Sequence, residues 1–574
     1  MIIRKEEDKL VQSHGEASDQ VGLFLLPPQF LRRPDIVSGA PGSSVAGTEC
    51  CRALLQHGEG EAHLFIREDQ EETTQRELKY LIQTEISFSS NWVVTTLSNL
   101  PTTLQTKSFT AFHNLGGPSF DLVAYARAFF SPHIFPISCM EYGFSYQPFL
   151  VDAVSKLLLA PTYPCDSVIC ASQVASQATE RILERQQENL KRQYGLARQR
   201  QFRLDVIPHG VPVEIFKPRD RLDIRRQLEL PLDKIILLYM GRLDPSSKSD
   251  VIPLLLSVQS LVKKYGDRLF LLMVGPLNDM HRGGLDKAVQ ELELLPYVHH
   301  RTNIPKVSVP LYYSAADIFV SLSDTLQENF GLTPVEAMAS GLPVIVSDWA
   351  GYKETVVHDE TGFKIPTTWA ECDEDLLPLA PFYDWSSDHF YMGQSVASDM
   401  EALTYYLDLL ISDEKLRLKM GEMARRHVLE NFTWERSAAK FWDLWRELNR
   451  IAQGITNFTP IADSFLKPHY YGDFHDFATL SLELSMRLGL TERGLRVCKG
   501  KESLFLLEEP RKLLKADLMM VILRFLKFSR FSGRQSTVEG LVDLISKKRR
   551  IPASAARRHL MWLLKYDLVR IQAK

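Results

Sequence analysis

The stretch "DIFVSLSDTLQENFGLTPVEAMASGLPVIVSD", residues 317 to 348, decides the fold. Its two ends, DIFVSLS and LPVIVSD, are short apolar runs with the length and residue types of buried strands. Between them lie a glycine-bearing loop and a small-residue helix. The order Thr333, Pro334, Val335, Glu336 fits a capping box, with Thr333 as N-cap, Pro334 at the first helical position and Glu336 reaching back from the third. The helix is therefore expected from Pro334 to about Gly341. Strand, loop, helix and strand make one βαβ unit, which requires a parallel sheet covered on both faces.

The same rhythm extends in both directions. Strand-like runs KIILLYMG (234–241), RLFLLMVG (268–275) and TGFKIPT (361–367) alternate with helical stretches such as VIPLLLSVQSLVKKYG (251–266). Upstream, VGLFLLP, EAHLFIR, WVVTTL, SFTAFHN, HIFPISCM and DSVICAS are separated by the helical VAGTECCRALLQHG and FDLVAYARAFF. The polar helix RILERQQENLKRQYGLARQRQ (181–201) leads to the proline-studded LDVIPHGVPVEIFKP (204–218), which reads as a linker. The expected fold is α/β, with two Rossmann-like doubly wound domains facing a cleft. The boundaries are a polar arm at 1–19, a first domain at 20–206, a second at 207–450, a connector at 451–509 packed on the body, and a mainly helical module at 510–574. Residues 368–397, acidic and then aromatic, form a long excursion at the cleft rim.

Composition narrows the class. A chain of 574 residues, 45% apolar and 24% charged, is an ordinary globular protein of several domains. Its net charge of −4 exerts no overall pull on nucleic acid or anionic membrane, so any such contact must come from a local patch. Seven scattered cysteines without a CxxC pair point to a reducing compartment and away from a zinc site. The opening mixes both signs of charge and shows no cleavage motif, and no run reaches the length of a membrane-spanning helix. A cytoplasmic location is expected.

Two carboxylates, Glu328 and Glu336, flank NFGLTPV in an otherwise small and apolar window. Glu336 has a structural reading as the capping glutamate. Glu328 stands on the loop feeding the helix, where Gly331 lets backbone amides approach a ligand and the helix N-terminus attracts phosphate. Carboxylates beside a phosphate site make sense if they accept hydrogen bonds from hydroxyls, as a nucleotide sugar offers. Cations for a diphosphate come from the turn GRLDPSSK (241–248): Gly241 ends a strand, Arg242 offers a two-pronged donor and Lys248 a point charge. The glycines of SGAPGSSVAGT (38–48) would form a loop that closes on phosphates or admits an acceptor.

Together these motifs resemble the retaining glycosyltransferases of family 4, which have the two-domain GT-B fold. The resemblance rests on GRLDPSSK (241–248), on the glutamate pair of ENFGLTPVE (328–336), and on EAMASGLPVIVSDWAGYKETV (336–356). It is supported by IPHGVPVEIFKP (207–218), similar to the interdomain segment, and by MARRHVLENFTWERSAAKFWDLW (423–445), similar to closing helices that cross back to the first domain. The resemblance implies transfer of a sugar from a nucleotide-diphosphate sugar, with retention of anomeric configuration and without a metal or other cofactor. It implies that Arg242 and Lys248 bind the diphosphate and that Glu328 faces the donor sugar. Phe330, Gly331 and Leu332 would touch sugar and phosphate through their backbone beside Gly241, and Glu336 would accept from the ribose. Catalysis would rest on Glu328, Arg242 and Lys248, stabilising charge as the nucleotide departs.

The chain departs from that pattern in the first domain, where relatives place a histidine after the strand opposite the donor. Here HIFPISCMEYGFSYQPF (133–149) has no histidine after the strand, so Glu141 or Tyr142 would face the cleft. His113 and Asn114, ending another strand, are candidates for the acceptor side. Beyond 510, TVEGLVDLISKKR and PASAARRHLMWLLKYDL read as two helices of a winged-helix-like module, basic at KKRR and ARRH, with Arg557 and Arg558 near the start of the second helix. Docking of a peptide or protein acceptor, or self-association, is the expected role in preference to nucleic acid. The acceptor stays open. A second reading is a non-catalytic GT-B scaffold that works as a binding or regulatory protein through this module.

Overall fold

A computed structural model describes residues 19–24, 42–70, 72, 91–143, 145, 147–197, 199–277, 279–383, 387–456, 466–505, 507, 509–532 and 536–572. All but the last residue of the predicted arm at 1–19, and the start of the glycine loop at 38–41, lie outside them. The chain divides into two units, Met1–Leu466 and Lys467–Lys574.

The first unit is built on two parallel sheets. One holds β1 (Gln20–Phe24), β2 (Glu61–Ile66), β3 (Trp92–Thr96), β4 (Ala111–Asn114), β5 (Ile137–Met140), β6 (Ser167–Cys170) and β7 (Arg203–Val206), in the order β3-β2-β1-β4-β5-β6-β7. Helices α1 (Gly42–Gln56), α2 (Asp121–Phe130) and α3 (Gln173–Tyr194) connect its strands. The other holds β8 (Ile235–Met240), β9 (Leu269–Val274), β10 (Val298–Arg301), β11 (Ile318–Ser321), β12 (Val344–Ser347) and β13 (Gly362–Ile365), in the order β10-β9-β8-β11-β12-β13. Each sheet reverses its winding once, between β1 and β4 and between β8 and β11. Those are the switch points where doubly wound folds bind ligands.

Local signals explain the elements. Ser172 caps α3 by accepting from the Ala175 amide at 3.2 Å, and Gly195, at φ +70°, ends it. A buried Arg–Asp pair pins strand starts in each sheet. Arg127 holds Asp166 with two bonds of 2.7 and 2.8 Å, and Asp166 accepts from the Ile137 amide; Arg225 holds Asp317, which accepts from the Ile236 amide. The second half continues through α4 (Ile252–Tyr265), α5 (Leu332–Ala339), α6 (Met400–Ser412), α7 (Glu414–Asn431) and α8 (Trp434–Gln453). In α8 the side chains of Trp434, Ala438, Phe441, Trp442, Trp445 and Leu448 form one buried stripe packed into the core of the first sheet. Trp445 Nε1 donates to Ser138 Oγ at 2.9 Å, so the last helix of the unit is fastened beneath β4 and β5.

Several expectations need correction. β7 overlaps the start of what reads as a linker, paired along β6, and β10 was missed because its VHHR sequence is polar. The 368–397 excursion is closed by an antiparallel ladder of β14 (Thr367–Trp369) against β15 (Val396–Ser398). The helix α5 does not start at a Thr333 cap. Gly331, at φ +93°, is its N-cap, Leu332 is the first helical residue, and the Thr333 hydroxyl is buried without a partner. The left-handed glycine turns the chain into the helix two residues early, which places Glu336 beyond capping reach.

The second unit contains β16 (Leu488–Leu490), α9 (Glu492–Cys498), α10 (Ala516–Ser532), α11 (Val538–Arg549), α12 (Ala553–Lys565) and β17 (Val569–Ile571). Its core joins Leu488, Leu490 and Val497 to Leu518, Ile522, Leu541, Leu560 and Leu563. β16 pairs antiparallel with β17, so the segment expected as a connector is part of this module's own fold, which starts well before 510.

Candidate active site

The turn after β8 and the loop after β11 lie on either side of the second switch point. Gly241 ends β8, and a Cβ there would come within 3.3 Å of the Lys248 side chain, so glycine lets that stem lie across the strand end. Asp244 folds the turn by accepting from the Ser246 and Ser247 hydroxyls, both at 2.6 Å. Arg242 Nη2 donates to the Ser247 carbonyl at 3.2 Å, and its own carbonyl accepts from Tyr239 at 2.9 Å. Lys248 returns over the strand end to pair with Glu328, its Nζ 5.9 Å from the centre of the Tyr352 ring. Burial opposes the lysine's charge, but the adjacent Glu328 carboxylate outweighs it and holds the ammonium well above the ordinary lysine range. Tyr352 donates to Glu328 at 3.2 Å and shares a 2.9 Å bond with Ser321.

Gly331 makes this packing possible. A Cβ at that position would lie 2.4 Å from Tyr352 Cε1, so the ring that holds Glu328 fills the space a side chain would need. Glu336 lies one turn into α5, where Tyr313 donates to it at 2.8 Å. Burial pushes its carboxyl up to about 7, the Tyr313 hydrogen bond and the charges of Lys306 and Lys248 pulling the other way. Phe330 is buried, while Leu332 is half-exposed. Asp324, between β11 and this loop, is likewise raised to about 7 by burial.

The first sheet meets the same loop. Asn329 Nδ2 lies 3.1 Å from both carboxylate oxygens of Glu141, and the Asn329 carbonyl accepts from Ser172 at 2.7 Å. Gln327 bonds to Ser145. Glu354 accepts from the first two amides of α3, Gln173 at 2.8 Å and Val174 at 2.7 Å, where the helix dipole favours an anion. Glu141 is buried, and burial raises its carboxyl to about 7. Tyr142 donates to the Leu115 carbonyl at 3.2 Å and stacks on His209, whose ring meets Phe330 edge-on at 5.4 Å.

The structure thus brings Gly241, Arg242, Lys248, Glu328, Phe330, Gly331, Leu332 and Glu336 to one strand-end surface, with Glu141 and Tyr142 on the facing half. It does not bring His113 or Asn114 there. His113 is fully buried between Ser138, 2.9 Å from its Nδ1, and the rings of Phe441 and Trp445. Asn114 closes its own turn, accepting from the Gly116 amide and donating to the Ser119 carbonyl. Their acceptor-side assignment is withdrawn, because α8 covers one and the turn consumes the other. Sequence reasoning missed Asn329, Tyr352, Ser172, Glu354 and His209. Tyr352 and Glu354 lie within the quoted AGYKETV motif, and Asn329 is next to Glu328, but nothing in the chain announces their cross-sheet partners.

Residues 220–376 match the family model of glycosyl transferases group 1. Over this segment the chain is similar to that family. The matched span contains both Lys248 and Glu328, and with the first sheet and the returning α8 the unit has the GT-B architecture. Over 251 residues the chain is 26% identical to D-inositol 3-phosphate glycosyltransferase of Paenarthrobacter aurescens, covering 43% of this chain and 52% of that protein. Over 176 residues it is 30% identical to the Thermomonospora curvata protein of the same name, covering 28% and 40%. The chain therefore spans about half the length of the curated relatives it matches. Sucrose-phosphate synthase from Thermosynechococcus elongatus superposes with a TM-score of 0.47 at 21% identity, over 75% of this chain and all of that one. Among the described residues no helix is long and apolar enough to cross a membrane.

Proposed function

We propose that the protein is a retaining glycosyltransferase that moves a sugar from a nucleoside-diphosphate sugar to an acceptor hydroxyl without a metal ion. The observation that carries this reading is the Lys248–Glu328 pair, which straddles the β8/β11 switch point with Arg242 beside it. In this reading Arg242 and Lys248 neutralise the diphosphate as it leaves, the work a divalent ion does elsewhere. Glu328 accepts from the donor sugar and stabilises positive charge at its anomeric carbon. The α5 N-terminus at Phe330, Gly331 and Leu332 presents amides to the phosphate, and Glu336 accepts from the ribose. Glu141 and Tyr142 face the acceptor.

The bond between anomeric carbon and phosphate oxygen breaks, the acceptor oxygen bonds to that carbon on the same face, and the departing diphosphate takes the acceptor's proton. The test is a donor screen with the common nucleotide sugars, following nucleoside diphosphate release and thermal stabilisation. One donor should be hydrolysed slowly to free sugar, and Glu328→Gln or Arg242→Ala should abolish this. Turnover that survives both substitutions, or a failure of every donor to stabilise or react, would overturn the assignment and favour the scaffold reading.

A further inference from the structure

The near-neutral net charge of the whole chain hides a strongly polarised module. The unit Lys467–Lys574 contains twenty-two Lys and Arg against eleven Asp and Glu, and its last stretch, 510–574, sixteen against four, although the chain as a whole carries −4. Two of the four acids are already committed inside the module, Asp517 to Arg549 at 2.7 Å and Asp543 to Lys547 at 3.1 Å. Among the described residues Arg524, Lys527, Arg550, Arg557 and Arg558 have no carboxylate partner.

The cations are ordered by the backbone. Helices α11 and α12 are joined by only three residues, Arg550 to Pro552, and Arg550 takes the left-handed conformation, φ +52°, that turns the chain between them. This is the geometry of two helices about a tight turn. Helix α12 contains no acidic residue. Its inner face buries Ala556, His559, Leu560, Trp562 and Leu563. Its outer ridge, spaced by four, is Ala553, Arg557, Met561 and Lys565, with Ser554 and Arg558 alongside, and all six are exposed. The first turn is thus small enough for close backbone approach, and cations begin on the second turn.

We propose that α12 docks in the major groove of duplex DNA, with Arg550, Arg557 and Arg558 on the flanking phosphates. A groove about 12 Å wide admits one helix, and its walls are phosphates that such cations neutralise. The deep, narrow major groove of duplex RNA does not admit a helix. A bilayer would demand an apolar outer face rich in Trp, Phe or Leu, whereas this ridge has Met561 as its one large apolar side chain. The inference reverses the expectation that set nucleic acid aside, and it is independent of the donor-site chemistry.

The experiment uses the full chain and a short fluorescein-labelled DNA duplex of mixed sequence, followed by anisotropy between about 50 and 200 mM salt. Three phosphate contacts predict a log–log salt slope of about −2.7, and the double variant Arg557→Gln, Arg558→Gln should flatten it by about 1.8 and weaken binding about 60-fold at 0.1 M salt. Both residues are exposed, and unchanged thermal unfolding of the variant confirms that only the surface has changed. Absence of binding at the lowest salt, or binding with the same slope in the variant, would overturn the proposal. So would stronger binding of the parent to phosphatidylserine vesicles than to DNA, lost in the same variant, which would make the partner a membrane surface.

Discussion

Replacing Glu141 by glutamine distinguishes charge from shape at the point where the first sheet meets the loop after β11. Glu141 is 2% exposed. Burial raises its carboxyl from 4.5 to about 7, against the opposing hydrogen bonds from Asn329 and the Gly143 amide. At about 1.4 kcal/mol per pH unit, that gap makes ionisation of Glu141 cost about 3 kcal/mol more in the folded protein than in the unfolded chain. Between pH 4.5 and about 7 the folded protein holds a proton the unfolded chain has released. Stability from this group is therefore complete below about pH 4.5 and is lost as pH rises through 7. Glutamine keeps an oxygen for Asn329 and has no proton to lose. Glu141→Gln should match the parent near pH 5 and exceed it by up to about 3 kcal/mol near pH 8, about 3–4 °C in Tm for a unit of this length. Asp324 and Glu336, also raised to about 7, remain in both proteins and cancel in the comparison. Calorimetry in steps from acid to alkaline pH reads the gap. A gap that stays constant with pH, or widens toward acid, refutes the reasoning.

Other substitutions test the packing directly. Gly331→Ala combines a left-handed φ of +93° with a Cβ 2.4 Å from the Tyr352 ring; urea denaturation should show a loss of at least about 2 kcal/mol, and a conservative result would mean the loop start is not fixed as described. Lys248→Met leaves Glu328 partly buried with Tyr352 as its one remaining donor among the described residues, and should cost about 3 kcal/mol, whereas the double variant Lys248→Met, Glu328→Gln should recover most of it. Additive losses in that cycle would show the two groups to be uncoupled. Arg127→Met removes one member of a fully buried pair whose Asp166 also anchors the start of β5, and a fall in stability of about 3–5 kcal/mol is expected by the same measurement.

The legible parts of the chain were those whose signal is local. β8, β9, β11 and β12 are near-continuous apolar runs, as strands covered on both faces must be, and they declare the second sheet. β10 and β7 are edge strands, relieved of burial on one side, and their VHHR and RLDV sequences lose the signal. Thr333 misled because a capping box and a glycine-started helix share the same residues, and only the φ of Gly331 separates them. Lys248 and Glu328 were legible as opposite charges on the turns after two neighbouring strands, and the structure brings them into contact. The Asn329–Glu141 contact was not, because its members stand 188 residues apart and meet only once the two sheets have packed. His113 was misjudged for the opposite reason: a polar side chain at a strand end looks available until α8, more than three hundred residues later, covers it.

The loop after β11 is held from two sides by different physics, and this bears on how the proposed site would work. Within the second half, Glu328 is held by charge, through Lys248, and by the Tyr352 hydroxyl. Across the cleft the neighbouring residues Gln327 and Asn329 are held by serine hydroxyls, Ser145 accepting from Gln327 and Ser172 donating to the Asn329 carbonyl, and by a carboxyl that burial keeps close to half-protonated at neutral pH. In the proposed reading, a diphosphate arriving at the β8/β11 switch point would compete for Lys248 and free Glu328 toward the sugar, while the grip of Ser172, Ser145 and Glu141 involves no cation that the phosphate would attract. The loop's backbone can therefore stay fixed as its charged side chains exchange partners. That separation of a steady frame from exchangeable charges is what an electrostatic transfer site requires, since preorganised groups cost no reorganisation at the moment of reaction.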